Sequence, residues 1–596
     1  MSEEIQSRRA LRELSTRPTR RWVLLWIGVG LGAALLFLVA WVGIRGLIAK
    51  AELESALPLV SSLKEDLKAV DLSGAQGTVA IVAERTANAR ALTSDPIWRT
   101  LESVPFAGPN LTGFRELAAV TDDLAQGVMI PVASLADTLD PKTLKPVDGR
   151  IDVRVFASAA PVISGARSSL ETTYADIEAI DTSQAIGAIQ DAHAQLQGML
   201  EPMLPLVEQA DDLLGLLPAM LGADGPRNYL VVFQNNSESR SLGGHAGSWV
   251  QVSVDDGKIS LARQSSVHEL KTGGASVIQL TPAQLALWPG AGSDPSNVTM
   301  VPELGLSART AAAFWANKFG VQPDGVVLID PIALGFILAA VGDVELPTGD
   351  IINSTNAAEF LLNGVYIQYP DPAIQDSIFG SLAERVFGAV LGGDFDPKAL
   401  VEAALKSGTE HRLLVWFFND DERAALSALP FALEQPVTND ELATFGIYIT
   451  DNLGSKMTYY VDAAVNLGQH TCAAGGVQYQ VQMKLTNIVT PEQGPTLPTY
   501  VANTAKGSLR ILVSLYGPPG SQFITAQGWD PEFAPALAQD GDYPVIVERL
   551  VLDPGQSKFV NFILVAPDDS LDRQLAAYVT PLARPIPVND DAEFTC

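Results

Sequence analysis

From residue 22 to residue 44 the chain carries no charged side chain, and Leu, Val, Ala, Gly and Trp dominate the stretch. At a rise of about 1.5 Å per residue, roughly 20 such residues cross the hydrocarbon core of a bilayer. Trp22, Trp26 and Trp41 suit the two interfaces. A secretory signal peptide is the rival reading, with a shorter apolar region and a small-residue cleavage site after it. Arg45 and Lys50 follow directly instead, which predicts an uncleaved transmembrane helix. Beyond it Leu53, Leu57, Val60, Leu63, Leu67 and Val70 recur at steps of three and four, the period of a helix with one buried face. Further stretches rich in Ala, Leu, Gln and Glu, at about 76–92, 112–140 and 165–221, predict more helices. Pro96, Pro105, Pro109, Pro131 and Pro141 punctuate them. A helical stalk or bundle over residues 50–223 is the expected structure.

The period changes near Asn228. Residues 229–233, 249–254 and 259–262 read as strands, and Asp255-Asp256-Gly257-Lys258 between the last two reads as a hairpin turn. A helix is predicted near 308–319, then a buried strand at 326–330. Pro331 opens a helix to about 341, and two more are expected at about 355–366 and 376–391. Alternation of strand and helix predicts a layered α/β domain over 224–440. From 441 the helix signals fade. Apolar runs at 448–450, 459–465, 477–485, 509–516, 545–552 and 559–566 alternate with Gly, Pro, Asn and Asp, which predicts a β-sandwich-like domain over 441–596.

The flanks of the apolar span set its orientation. Arg8, Arg9, Arg12, Arg17, Arg20 and Arg21 precede it, so residues 1–21 are expected in the cytoplasm and everything from about residue 50 outside. The whole chain is acidic, with 68 Asp and Glu against 39 Lys and Arg. A protein that replaces phosphate counterions needs a basic face, so nucleic acid is not an expected partner. The bilayer is. Cys472 and Cys596 are the only cysteines. An oxidising exterior permits a disulfide between them; two free, buried thiols are the alternative. No phosphate-binding Walker loop, Gly-x-Ser-x-Gly elbow or His-Glu-x-x-His zinc motif occurs.

The densest polar stretch follows the first strand. Gln234, Asn235, Asn236, Ser237, Glu238, Ser239, Arg240 and Ser241 lead to the pair Gly243-Gly244. Polar groups at the end of a strand are well placed for chemistry.

Several segments resemble a membrane-anchored bacterial family of unknown function, DUF4012. They are Pro96-Ile97-Trp98-Arg99 and Pro105-Phe106-Ala107-Gly108, then Asn228-Tyr229-Leu230 through Asn236, Glu238, Arg240 and Gly243-Gly244. Asp324-Gly325-Val326, Asp330-Pro331 and Leu334 follow, with Asn452-Leu453-Gly454-Ser455-Lys456 and Leu515-Tyr516-Gly517-Pro518 in the last part. The α/β part is also remotely similar to the LytR–CpsA–Psr proteins, which move glycopolymers from polyprenyl-pyrophosphate carriers onto the wall. That family's Arg-Ser-Asp motif meets Arg240-Ser241-Leu242 in this chain. Its later Arg-Asp pair meets Val267-His268-Glu269, and Asp376 stands near where a further Arg is expected.

The resemblance implies handling of a polyprenyl-linked glycan, with Mg²⁺ as the expected cofactor. Arg240 would then fork a phosphate and His268 would act as general base. Asn235, Asn236, Ser241, Gly243 and Gly244 would bind the ligand, the glycines through backbone N–H groups. Glu238, Glu269 and Asp330 would hold the metal. Each has a structural alternative. The Asn and Gly pairs shape turns, Arg240 pairs with Glu238, and His268 is structural. Asp330 caps the helix that Pro331 opens. Lys456 pins the β domain to the α/β domain. Two functions therefore compete: a divergent glycopolymer phosphotransferase of the cell envelope, and a non-catalytic envelope scaffold with a degenerate enzyme-like domain.

Overall fold

The computed structural model describes residues 20–68, 72–136, 138–139, 145–433, 436–471, 476–530, 532–533, 535–567 and 573–594. Cys472, Cys596, Arg8, Arg9, Arg12 and Arg17 lie outside them. The chain divides into two compact units, Met1–Asp140 with Ser158–Asp211, and Pro141–Ala157 with Asp212–Cys596.

The first unit is helical. Helix α1 (Arg20–Lys68) is a single rod of 49 residues. Its N-terminal part is long and apolar enough to cross a membrane, a property shared by single-pass anchors and signal sequences. Leu24, Leu31, Leu36, Val39 and Ile44 are all exposed there, as side chains that need an apolar solvent would be. The same rod then packs against α2 (Leu72–Thr93). Ala49 of α1, Ala89 of α2 and Ala118 of α4 (Gly108–Leu124) share one small core, where the short side chains let the helices approach. Between α2 and α4 lies the short α3 (Pro96–Leu101), opened by Asp95, which accepts from the N–H groups of Ile97 and Trp98. Helix α4 continues through a π-turn, Ala125–Met129, into Ile130–Ser134. Helices α5 (Val153–Glu178), α6 (Gly187–Leu200) and α7 (Met203–Met220) follow. The helix over 153–164, which sequence reading leaves out, forms with Pro161 inside it.

Among the described residues the second unit holds three five-stranded sheets and a two-stranded one. The first is mixed, in the order β3-β2-β1-β4-β5. Its strands are β1 (Arg227–Arg240), β2 (Gly243–Asp255), β3 (Lys258–Ser266), β4 (Gly325–Ile329) and β5 (Leu413–Phe417). Only β1 and β4 run parallel; the other pairs are antiparallel. Helix α8 (Leu304–Phe319) lies in the crossover between them. Its Ala308, Ala311, Phe314 and Trp315 pack on Leu230, Val232, Trp249, Val326 and Leu328. Helix α9 (Pro331–Val341) leaves β4 directly. The helix expected at 355–366 forms as a short helix interrupted by a π-turn, Phe360–Gly364. Helix α10 (Pro372–Leu391) starts four residues earlier than the apolar pattern indicates, capped by Asp371. Helix α11 (Pro397–Thr409) and strand β5 were not signalled by the sequence pattern.

The C-terminal strands form two mixed sheets. One contains β6 (Leu442–Asp451), β9 (Leu509–Tyr516), β11 (Ala536–Asp540), β12 (Tyr543–Leu552) and β14 (Gln574–Val579). The other contains β7 (Val461–Thr471), β8 (Val477–Asn487), β10 (Gln522–Gln527), β13 (Ser557–Val565) and β15 (Val588–Asn589). Phe445 of the first meets Tyr479 of the second edge-on, with centroids 5.5 Å apart. One apolar core runs through both sheets and on to Leu334 and Leu338 of α9 and to Ile378 and Leu382 of α10. The secondary structure changes near residue 440, while the core continues across that point.

Candidate functional site

The polar stretch expected after the first strand is the second half of β1 itself, and it sits where β1 meets the C-terminal strands. Strand β1 pairs regularly with β2 as far as Phe233, opposite Ser248; the register then shifts past Gly247, and Gln234 and Asn235 face Ala246 and His245. The pairing then skips Asn236, Ser237 and Glu238 and resumes with Ser239 opposite Gly244. A bulge of this kind bends a strand and re-aims its side chains. All residues from Asn236 to Leu242 are buried, although six of the seven are polar or charged. Buried polar groups require partners, and these find theirs on residues far away in the chain.

Glu238 is held between two cations. Its Oε1 accepts from Arg240 Nη2 at 2.9 Å, and its Oε2 accepts from Lys456 Nζ at 2.5 Å. Burial by itself raises the Glu238 carboxyl, but Lys456 and Arg240 outweigh it and hold it well below the ordinary carboxylate range. Burial likewise opposes the charge on Lys456, and Glu238 more than restores it, with Tyr366 and Tyr500 flanking the ammonium at 5.5 and 5.3 Å from their ring centres. His245 is pushed down to about 4, mainly by burial, and is therefore neutral at ordinary pH. Arg240 uses each of its guanidinium nitrogens inside the protein. Nε donates to Asn297 Oδ1 at 3.0 Å, Nη1 to the Ser239 carbonyl at 2.9 Å, and Nη2 to Glu238.

A second buried pair lies at the start of α9. Asp330 caps that helix, its Oδ1 accepting from the N–H groups of Ile332 and Ala333 at 3.0 and 2.8 Å. Its Oδ2 accepts from Arg412 Nη1 at 2.8 Å and from Asn236 Nδ2 at 2.9 Å. Arg412 donates further to Glu410 and to the Leu582 carbonyl. Asn236 donates also to the Pro581 carbonyl, while its Oδ1 is buried with no partner. Thr458 Oγ1 donates to the Asn236 carbonyl and accepts from the Ser239 N–H, both at 3.0 Å. Thr580 Oγ1 donates to the Ser241 carbonyl at 3.0 Å. Together these contacts form a polar seam between the end of β1 and the C-terminal sheets.

The remaining candidates take other positions. Asn235 donates to the Tyr366 hydroxyl and accepts from the Ser237 N–H and hydroxyl. Ser241 donates to the Met300 carbonyl at 2.5 Å. Gly243, at φ +136°, faces Gln234, and a Cβ on Gly244 would lie 2.2 Å from the Asn235 carbonyl oxygen. The Gly244 N–H already donates to Gln234 Oε1 at 2.9 Å, so this pair secures a tight hairpin. His268 and Glu269 are exposed on a 3₁₀ turn, Val267–Leu270. Glu269 accepts from Ser265 Oγ at 3.2 Å. Asp376, on α10, feels both side chains. Burial raises its carboxyl, and His268 and Glu269 act on it with opposite signs.

Arg240, Glu238, Asn236 and Asp330 are thus brought together in one seam, and among the described residues no hydrogen bond or ion pair joins His268 or Glu269 to it. The three carboxylates proposed for Mg²⁺ do not fit a common metal site: Glu238 and Asp330 each face arginine or lysine, and Glu269 lies on the surface. Among the described residues no group of three His, Cys, Asp or Glu side chains is placed to hold a metal ion. Sequence reasoning missed Arg412, Asn297, Thr458, Thr580 and His245. The one available signal for a partner was the acidic Glu238 inside an otherwise buried strand, which demands a cation. No curated protein matches this chain, so no relative connects it to the LytR–CpsA–Psr proteins. Residues 224–366, which contain β1 to β4, α8, α9 and all the seam residues up to Asp330, match the family described as a protein of unknown function, DUF4012.

Proposed function

We propose that this chain is a single-pass membrane protein of the cell envelope, with its bulk outside the cytoplasm, acting as a non-catalytic scaffold. In this reading the α/β layer is a LytR–CpsA–Psr-like frame without turnover, and the β-sandwich-like part presents surfaces to partners. The observation that carries it is the internal use of Arg240. A transferase needs that guanidinium free to fork a pyrophosphate, whereas each of its nitrogens is bonded within the seam. The anchor is supported by α1, which runs unbroken from the apolar stretch through Arg45 into the packed helices. A cleaved leader would not share a continuous helix with the mature core. The arginine-rich flank before it supports a cytoplasmic N-terminus.

The test is binding of a polyprenyl-pyrophosphate analogue to the full chain in nanodiscs, with and without Mg²⁺. Both the native protein and Arg240→Ala are measured. The scaffold reading expects no metal-dependent binding by either. Metal-dependent binding by the native chain that disappears in Arg240→Ala would replace it with glycopolymer transfer.

A further inference from the structure

The first unit ends, on the side nearest the apolar part of α1, in a loop that exposes Val104 and Phe106. Phe106 is 93 % exposed and adopts φ +68°, a left-handed conformation that bulky side chains avoid. The loop is nevertheless firmly built. The Gly108 N–H donates to the Val104 carbonyl at 2.7 Å, and Asn110 Nδ2 donates to the Phe106 carbonyl at 2.9 Å. Gly108 is required there, because a Cβ would lie 1.9 Å from the Glu102 carbonyl oxygen. Asn110 Oδ1 accepts from the Ile186 N–H at 2.7 Å, which brings Ile186, itself 59 % exposed, to the same end. A hollow of about 680 Å³ lies between the two segments, lined by Val104, Phe106, Asn110, Gln184 and Ile186.

The register along α1 fixes the height of this loop. From Leu24 to Ile44 the helix rises about 30 Å, the thickness of a hydrocarbon core. Arg45 is the first charged residue after that stretch. Its Nε donates to the Leu92 carbonyl at 2.9 Å and pairs with Asp95 at 3.1 Å. Gly46 abuts the Trp98 ring. The indole of Trp98 in turn donates to the Leu111 carbonyl at 3.0 Å. Four residues beyond Arg45, Ala49 meets Ala118 of α4. Helix α4 therefore climbs away from the span as its residue numbers rise. Its first residue, Gly108, and the loop before it lie at or below the level of Arg45, beside the end of the apolar stretch.

We propose that the loop of residues 102–107, led by Phe106 and joined by Ile186, inserts into the outer interface of the bilayer. There it holds the helical unit against the membrane next to its own anchor. An aromatic ring and two aliphatic side chains at this height meet the boundary between headgroups and acyl chains, which favours such groups. A rigid, exposed phenylalanine in a disfavoured conformation is then presented to a lipid surface. The inference rests on the anchor reading of α1.

The experiment reconstitutes the full chain in vesicles of phosphatidylcholine and phosphatidylglycerol doped with a phospholipid that carries a diazirine near the top of one acyl chain. After illumination, lipid adducts are mapped by mass spectrometry. The expected result is adducts both on residues 24–44 and on residues 102–107. Phe106→Asp should lower the loop adducts about tenfold, as loss of one buried aromatic predicts. Adducts on residues 24–44 with none on the loop would overturn the insertion and leave the anchor standing. Adducts on neither would overturn the anchor and the insertion with it. Loop adducts undiminished in Phe106→Asp would overturn the role given to Phe106.

Discussion

Lys456 reaches Glu238 across the seam and places its Nζ 2.5 Å from Oε2, joining residues 218 positions apart. Both side chains are at most 10 % exposed. Removing Lys456 leaves the buried Glu238 with Arg240 as its one remaining cation and takes the donor from its Oε2. Lys456→Met is therefore expected to destabilise the second unit by about 3 kcal/mol. Adding Glu238→Gln should restore part of that loss, with a coupling of about 1–3 kcal/mol between the two positions. Thermal unfolding of the detergent-solubilised chain measures both. Additive effects would contradict the pairing.

The legible part of this protein is the local part. The apolar run to residue 44 identified α1 by length, and Tyr229 to Phe233 identified the first half of β1 by its apolar run. Asp330 before Pro331 announced a helix cap from two adjacent residues, and the cap is present. The second half of β1 was hidden because its residues are polar and yet buried. Their distant partners, Asn297, Asp330, Lys456, Thr458 and the Pro581 carbonyl, lie between 57 and 345 positions away, beyond any local period. Strand β5 was lost for a related reason. It is a five-residue run whose place in the sheet comes only from its pairing with β4.

Arg412 offers a sharper probe of the same seam. Its guanidinium serves Asp330, Glu410 and the Leu582 carbonyl in three directions. A lysine ammonium carries the charge without that planar fork. Arg412→Ala is expected to cost about 3–5 kcal/mol, and Arg412→Lys to recover less than half of it. Denaturant unfolding of the two variants checks this. Full recovery by lysine would mean that charge alone matters at this position.

Stability should also depend on pH through Glu548 on β12. This side chain is 2 % exposed, and its Oε2 is buried without a partner. Burial pushes its carboxyl up to about 7 from an ordinary 4.5. The folded state then binds a proton that the unfolded state has already released between those values. Stability is accordingly greatest below pH 4.5 for this group, falls as pH rises to about 7, and is level above that. Glu548→Gln should remove this slope and make the variant more stable than the native chain at pH 8 by about 1–3 kcal/mol, with little difference at pH 5. Melting temperatures at the two pH values measure the sign. An equal difference at both would rule out titration of Glu548 as the cause.

The glycine pair separates a structural role from an anion-binding one. A methyl group on Gly244 would lie 2.2 Å from the Asn235 carbonyl oxygen and 2.6 Å from the Asn236 nitrogen, both backbone atoms that cannot rotate away. Gly273 has φ +71°, and a methyl group there would have nothing within 4 Å, so alanine meets only conformational strain. Gly273→Ala is expected to cost about 1 kcal/mol and Gly244→Ala about 3 kcal/mol or more, since overpacking against backbone forces β1 and β2 apart. Hydrogen exchange should show the added loss as faster exchange in β1 and β2 of Gly244→Ala, with the C-terminal strands following because the seam loses its register. Normal protection in Gly244→Ala, accompanied by loss of polyprenyl-pyrophosphate binding, would instead place an anion at this turn and reverse the structural assignment.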